Sequence, residues 1–145
     1  MSNINQEYLK ELQVEHKIVA KLLEETKGLI QTKYIADIAA RIDSLKQGLN
    51  SHLKKEDDKI YPELLKVARE KKIELIEITI RTFTTAMKGI GERVGRFFEK
   101  YQNRDDITRL ISDFSHDFQG VYEDLFKRVN NEERVLYPMY EKYCC

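Results

Sequence analysis

The chain is short of several things, and each shortage closes a class of function. It has no excess of either charge: 25 Lys and Arg balance 25 Asp and Glu, interspersed along 145 residues. That pattern offers no basic face to displace counterions from nucleic acid. No segment approaches the ~20 apolar residues of a membrane span, and "MSNINQEYLKELQVEH" lacks the basic and apolar regions of a secretory leader, so a cytoplasmic protein is expected. The only cysteines, Cys144 and Cys145, are adjacent at the C-terminal end. They form no disulfide framework, fit a reducing compartment and read as a frayed, silent tail. There is no Gly-rich phosphate loop, no G-x-S-x-G and no cysteine with a base in reach, which sets aside the commonest nucleotide and acyl-transfer chemistries. Nor is there a Glu-x-x-His pair of the kind a ferritin-like di-iron oxidase carries.

Proline is nearly missing too, with Pro62 and Pro138 alone, and the long tracts between read in steps of three and four. Leu9, Leu12, His16, Val19, Leu23, Thr26 and Ile30 make the first stripe, and Ile38, Ile42, Leu45, Leu49, His52, Glu56 and Ile60 the second. Ile76, Ile80, Phe83, Met87, Ile90, Val94, Phe97 and Tyr101 make the third, and Phe114, Phe118, Val121, Leu125, Arg128, Glu132 and Val135 the fourth. Each is the inward face of an amphipathic helix. The β-branched "IELIEITI" at 73 to 80 would also suit a strand, but the helical period runs unbroken to Tyr101. Short polar joints at Thr32 to Lys33, Arg69 to Lys72 and "QNRDD" make neighbouring helices antiparallel, with Asn103 or Asp105 available to cap the last. The expected fold is all-α: an up-down-up-down four-helix bundle, one domain over 1–145.

The bundle repeats itself. Advancing the second tract by 76 positions superposes Ile42 on Phe118, Leu49 on Leu125, His52 on Arg128, Glu56 on Glu132 and Pro62 on Pro138. Advancing the first by 71 superposes Leu12 on Phe83, His16 on Met87 and Val19 on Ile90. The fold is therefore two repeated helix pairs. In this register five polar or ionisable residues take inward positions: His16, His52, Glu56, Arg128 and Glu132. His52 and Glu56, at i and i+4, lie one turn apart on one face and can grip the same ion. A buried carboxylate without a partner costs several kcal/mol, so the core must supply a cation. Met87 reads as plain core, His116 as a surface residue on the opposite side from Phe114 and Phe118, and Glu15 as either a surface acid or a carboxylate that supports the site from beside His16. Tyr61 and Tyr137 are expected to pack at the bundle end, where the prolines interrupt the long helices.

These segments, "LQVEH" at 12 to 16, "HLKKEDDKIYP" at 52 to 62 and "NEERVLYP" at 131 to 138, resemble the hemerythrin-like, or HHE, cation-binding family. The resemblance implies a four-helix bundle around a non-haem di-iron centre with mostly histidine ligands and two bridging carboxylates. The roles it implies are oxygen binding or sensing, iron handling, or repair of iron centres. Carried over, His16, His52 and Glu56 match first-half ligands and Glu132 the second-half carboxylate. Where the pattern expects second-half histidines, this chain has Met87, a poor ligand for hard iron, and Arg128, which cannot deprotonate to coordinate anything.

The departures suggest that Arg128 stands in for the second metal ion, its permanent charge paired with Glu132 and Glu56. Two metal ions beside that fixed charge would leave the cluster strongly positive. One divalent ion with a hydroxide, or a metal-free core with one protonated histidine, is neutral. Two readings stand. The first is a hemerythrin-like binding or sensing protein, rather than an enzyme, with at most one iron or zinc ion on His16, His52, Glu56 and Glu132, and Glu15 and Met87 around it. The second is a metal-free bundle acting as a regulatory partner of another protein.

Overall fold

The computed structural model describes residues 3–145. Helix α1 (Ile4–Thr32) opens under Asn3, whose side chain accepts from the amides of Asn5 and Gln6, and closes on Lys33 in the left-handed region at φ 59°. Helix α2 (Ile35–Lys55) follows at once, so the two pack as an antiparallel hairpin. Helix α3 (Tyr61–Glu70) continues the same arm, and a second left-handed lysine, Lys72 at φ 54°, turns the chain into α4 (Glu74–Lys100). Short α5 (Arg104–Arg109) fills the "QNRDD" joint under an Asn103 cap, before α6 (Ile111–Asn131) and α7 (Tyr137–Cys144). Each α4 stripe position is buried, "IELIEITI" is helical from Glu74, and no strand occurs among the described residues. The structure is the expected helical bundle, with α1 against α2 and α6, and α4 against α3 and α6.

The two prolines do not end their helices. In both copies a single wide turn precedes the proline, Glu56–Ile60 joining α2 to α3 and Glu132–Leu136 joining α6 to α7. The amide of Tyr61 bonds the carbonyl of Glu56, and that of Tyr137 the carbonyl of Glu132, both five residues back. Proline has no N–H to close a tight turn and its ring collides with the carbonyl four residues earlier; widening the turn relieves both problems. The 76-residue repeat thus extends to the backbone, and each wide turn begins on a buried glutamate.

The wide turn also corrects the fourth stripe. One extra residue per turn advances the inward phase, so Val135 is 41% exposed while Leu136 and Tyr137 are each at 1%. The C-terminal tail departs from expectation as well. Cys144 closes α7, and its carbonyl accepts a 2.6 Å hydrogen bond from Asn5 Nδ2, tying the end of the chain to α1. Both cysteines are free.

Candidate metal centre

Four arms deliver polar side chains into an otherwise apolar core. α1 contributes His16 between Leu12 and Val19, α2 contributes His52, and the two wide turns begin with Glu56 and Glu132; all four are at most 4% exposed. Among them, His16, His52 and Glu132 form a cluster whose ligand atoms all lie within 4.8 Å of one another. His16 Nε2 stands 3.1 Å from His52 Nε2 and 2.7 Å from Glu132 Oε1, and His52 Nε2 stands 3.4 Å from that same oxygen. Such edges are those between neighbouring ligands each about 2.1 Å from a shared ion, at angles of roughly 80–110°.

The outer nitrogens explain why the inner ones converge. His16 Nδ1 donates to Glu133 Oε1 at 2.7 Å and His52 Nδ1 donates to Glu15 Oε1 at 2.9 Å. A carboxylate holding Nδ1–H fixes the tautomer and ring, and points the Nε2 lone pair at a metal. Lys55 in turn pairs with the other oxygen of Glu15. Of the alternatives left open for Glu15, the structure shows the contact with a site histidine, but through His52 and not through its sequence neighbour His16. Met87 is apolar core, at 4% exposure, and His116 lies on the surface.

Glu56 stands beside the triangle. Its Oε1 is 3.6 Å from His52 Nε2 and 3.8 Å from Arg128 Nη2, makes no hydrogen bond, and is the one such buried side-chain oxygen or nitrogen among the described residues. A fully buried oxygen with no partner fits a place where a cation belongs. Arg128 is largely buried, its side chain 12% exposed, and its Nε donates to Glu132 Oε2 at 3.3 Å. Both oxygens of Glu132 are therefore engaged, one by the histidines and one by the guanidinium.

These contacts drive the two carboxyls apart. Burial pushes Glu132 up, but hydrogen bonds from His16 and His52, with the Arg128 charge, overcome it and hold this carboxyl well below the usual range. Burial, and then the Glu132 charge, push Glu56 well above it. Burial pulls His16 down, yet its contacts with Glu132 and Glu133 outweigh that and raise it.

The helical period of the sequence does not mark Tyr137 or Glu133 as site residues. Tyr137 donates to Glu56 Oε2 at 3.0 Å, and its hydroxyl caps the triangle, 3.1 Å from His16 Nε2 and 3.2 Å from His52 Nε2. It lies in the site and not at the bundle end. Five residues past Glu132 an α-helix would face elsewhere; the wide turn brings position 137 back over 132. The signal available was the proline that follows. A surface groove of about 460 Å³, lined by Gln13, Lys17, Ala20 and Val129, reaches His16 and Glu133 on the outer side of the centre.

Fold and site together define a helical bundle enclosing two histidines and a carboxylate able to hold a metal ion. The chain belongs to the hemerythrin HHE cation-binding domain family, whose model matches residues 8–140. Comparison with curated proteins and with solved structures gives no significant match.

Proposed function

We propose that the protein binds one divalent ion per chain, iron or zinc, on His16, His52 and Glu132 with Glu56 alongside, in a binding or sensing role. The observation that carries this is the convergence of two Nε2 atoms and one carboxylate oxygen at 2.7–3.4 Å, with each outer nitrogen tied to a carboxylate. Two imidazoles and one carboxylate are the donor set of non-haem Fe(II) sites and of zinc sites with an open position. Such an ion would supply a coordination place for a small ligand, while Tyr137 and the apolar walls restrict what reaches it. Arg128, on the far oxygen of Glu132, supports the idea that a fixed charge replaces a second ion.

One observation favours a second reading. Arg128 and a protonated His16 can together answer both oxygens of Glu132, which suits a metal-free interaction module. Untagged protein reconstituted anaerobically with Fe(II) or Zn(II) and freed of excess metal separates the two. The first reading expects one tightly held ion, lost in His52→Ala and kept in His116→Ala. Two ions would contradict the role given to Arg128, and none would favour the metal-free module.

A further inference from the structure

Arg128 has a second neighbourhood besides the carboxyls of the metal centre. A crevice of about 90 Å³ opens between α2, α4 and α6, walled by Leu53, Val94, Phe98 and Leu125, and among the described residues Arg128 is the only charged one that lines it. Asn50 and Gly95 stand exposed on its lining, and Gly91 is half-buried.

Two features of this crevice have no use in holding a metal. Gly91 and Gly95 occupy the interior of α4, where each glycine disfavours the helix relative to alanine. Close packing does not demand them, since a Cβ built at either position meets nothing within 4 Å. Their effect is to leave room. The guanidinium of Arg128, meanwhile, spends only Nε on Glu132; Nη2 is 3.8 Å from Glu56 Oε1, beyond hydrogen-bond reach, and Nη1 has no hydrogen bond among the described residues. A largely buried guanidinium with unused donors, at an apolar crevice, matches a molecule that is apolar along its length and anionic at one end.

We propose that this crevice binds a short-chain carboxylate, its alkyl tail against Leu53, Val94 and Leu125 and its carboxylate on the terminal nitrogens of Arg128. The volume admits a few heavy atoms, which sets the chain length near that of butyrate. Acetate has too little tail to fill the walls, and a neutral alcohol of equal length brings no charge to the guanidinium. Because Arg128 also holds Glu132, the carboxylate and an ion on the histidines would share one side chain, and each would alter the affinity of the other by the same factor.

The test is a titration of the full-length chain with sodium butyrate, sodium acetate and n-butanol, followed by methyl chemical shifts of the crevice leucines and valine. Saturable binding is expected, with butyrate tighter than either comparison compound by about tenfold. Gly95→Leu fills the crevice and should weaken butyrate by about tenfold or more, whereas Gly28→Leu, at an exposed glycine of α1, should leave it unchanged. If Gly95→Leu does not fold, as read by circular dichroism, Gly91→Ala takes its place, because its added methyl has space and still narrows the crevice. Absence of saturation, equal affinity for butyrate and n-butanol, or wild-type affinity in the crevice variant that folds would each overturn the proposal.

Discussion

The first helix pair and the second share a backbone and differ in what they bring to the core. At matched positions the first supplies His16, His52 and Glu56, the second Met87, Arg128 and Glu132. Both glutamates begin a wide turn, both are essentially without exposure, and both are followed by Tyr-Pro. Their environments are opposite. Glu132 has a partner on each oxygen and is held ionised; Glu56 has Tyr137 on one oxygen and none on the other, and is pushed toward the neutral acid. A repeat thus conserves where a carboxyl is placed but not what it does, because charge state is set by neighbours from the other half.

The sharpest way to break the comparison is to make one substitution at both positions. Glu132→Gln removes the anion facing His16, His52 and Arg128, and should destabilise the metal-free protein by about 3–5 kcal/mol. Glu56→Gln removes a charge that burial already opposes and keeps an acceptor for Tyr137, so its stability should stay within about 1 kcal/mol of wild type, shifted upward if at all. Urea unfolding at neutral pH reads both. Equal losses would mean that the two carboxyls are equivalent after all.

Next is Arg128→Leu, which leaves Glu132 Oε2 without its cation and should cost about 3–5 kcal/mol without metal, toward the lower end because Arg128 is partly exposed. Added Zn(II) should recover part of that loss by binding the folded state alone. Met87→His with Arg128→His sharpens the comparison from the other side. It makes the second half resemble the first and removes the charge that repels a second ion, so metal analysis should find more ion per chain than in wild type. A double variant with wild-type uptake would show that the halves differ in more than these two side chains.

Most of this contrast was legible before the structure, and the exceptions share a cause. A period of 3.6 residues places side chains reliably as long as the helix stays regular, so it puts His16, His52, Glu56 and Glu132 inward and Arg128 facing Glu132. Past Glu132 the wide turn breaks that period. The regular period therefore puts Val135 inward and Tyr137 at the bundle end, and the structure does neither. Glu15 and Glu133 are partly exposed and reach inward only through their length, which no periodicity records. Their signal was adjacency, Glu15 beside His16 and Glu133 beside Glu132, and for Glu15 it pointed to the wrong histidine.

The pH dependence of the metal-free protein gives a smaller effect whose sign separates the groups. His16 is raised above its ordinary 6.5, so its contribution is complete below that value and is lost as pH climbs through the raised one. Glu132 is depressed below its ordinary 4.5, so its contribution is complete above 4.5 and is lost only in strong acid. Glu56 is raised, which makes folding less favourable as pH climbs away from 4.5. Two of the three favour the acid side of neutrality. Urea midpoints should therefore fall between about pH 6 and pH 9. Glu56→Gln should flatten that slope in part, leaving the share that belongs to His16. An unchanged slope in this variant would mean that Glu56 is not raised.

The smallest difference is carried by the two tyrosines that follow the wide turns. Tyr137 is 1% exposed and donates to Glu56 Oε2 at 3.0 Å, the only hydrogen bond that Glu56 makes among the described residues. Tyr61, its counterpart in the repeat, is half-buried, and burial followed by the charges of Glu56 and Glu132 pushes its hydroxyl up, but that hydroxyl makes no hydrogen bond among the described residues. Tyr137→Phe keeps the ring but leaves both oxygens of a buried carboxyl without a donor, and should cost about 1 kcal/mol. Tyr61→Phe gives up no hydrogen bond among the described residues and should change stability by less than about 0.5 kcal/mol. The cap over the histidines adds a second readout. With that hydroxyl gone, Co(II) bound as a spectroscopic stand-in should show a changed visible spectrum in Tyr137→Phe and an unchanged one in Tyr61→Phe. If the two variants behave alike in both measurements, the wide turn at Glu132 does not aim Tyr137 at the site, and the halves are more symmetric than their contacts indicate.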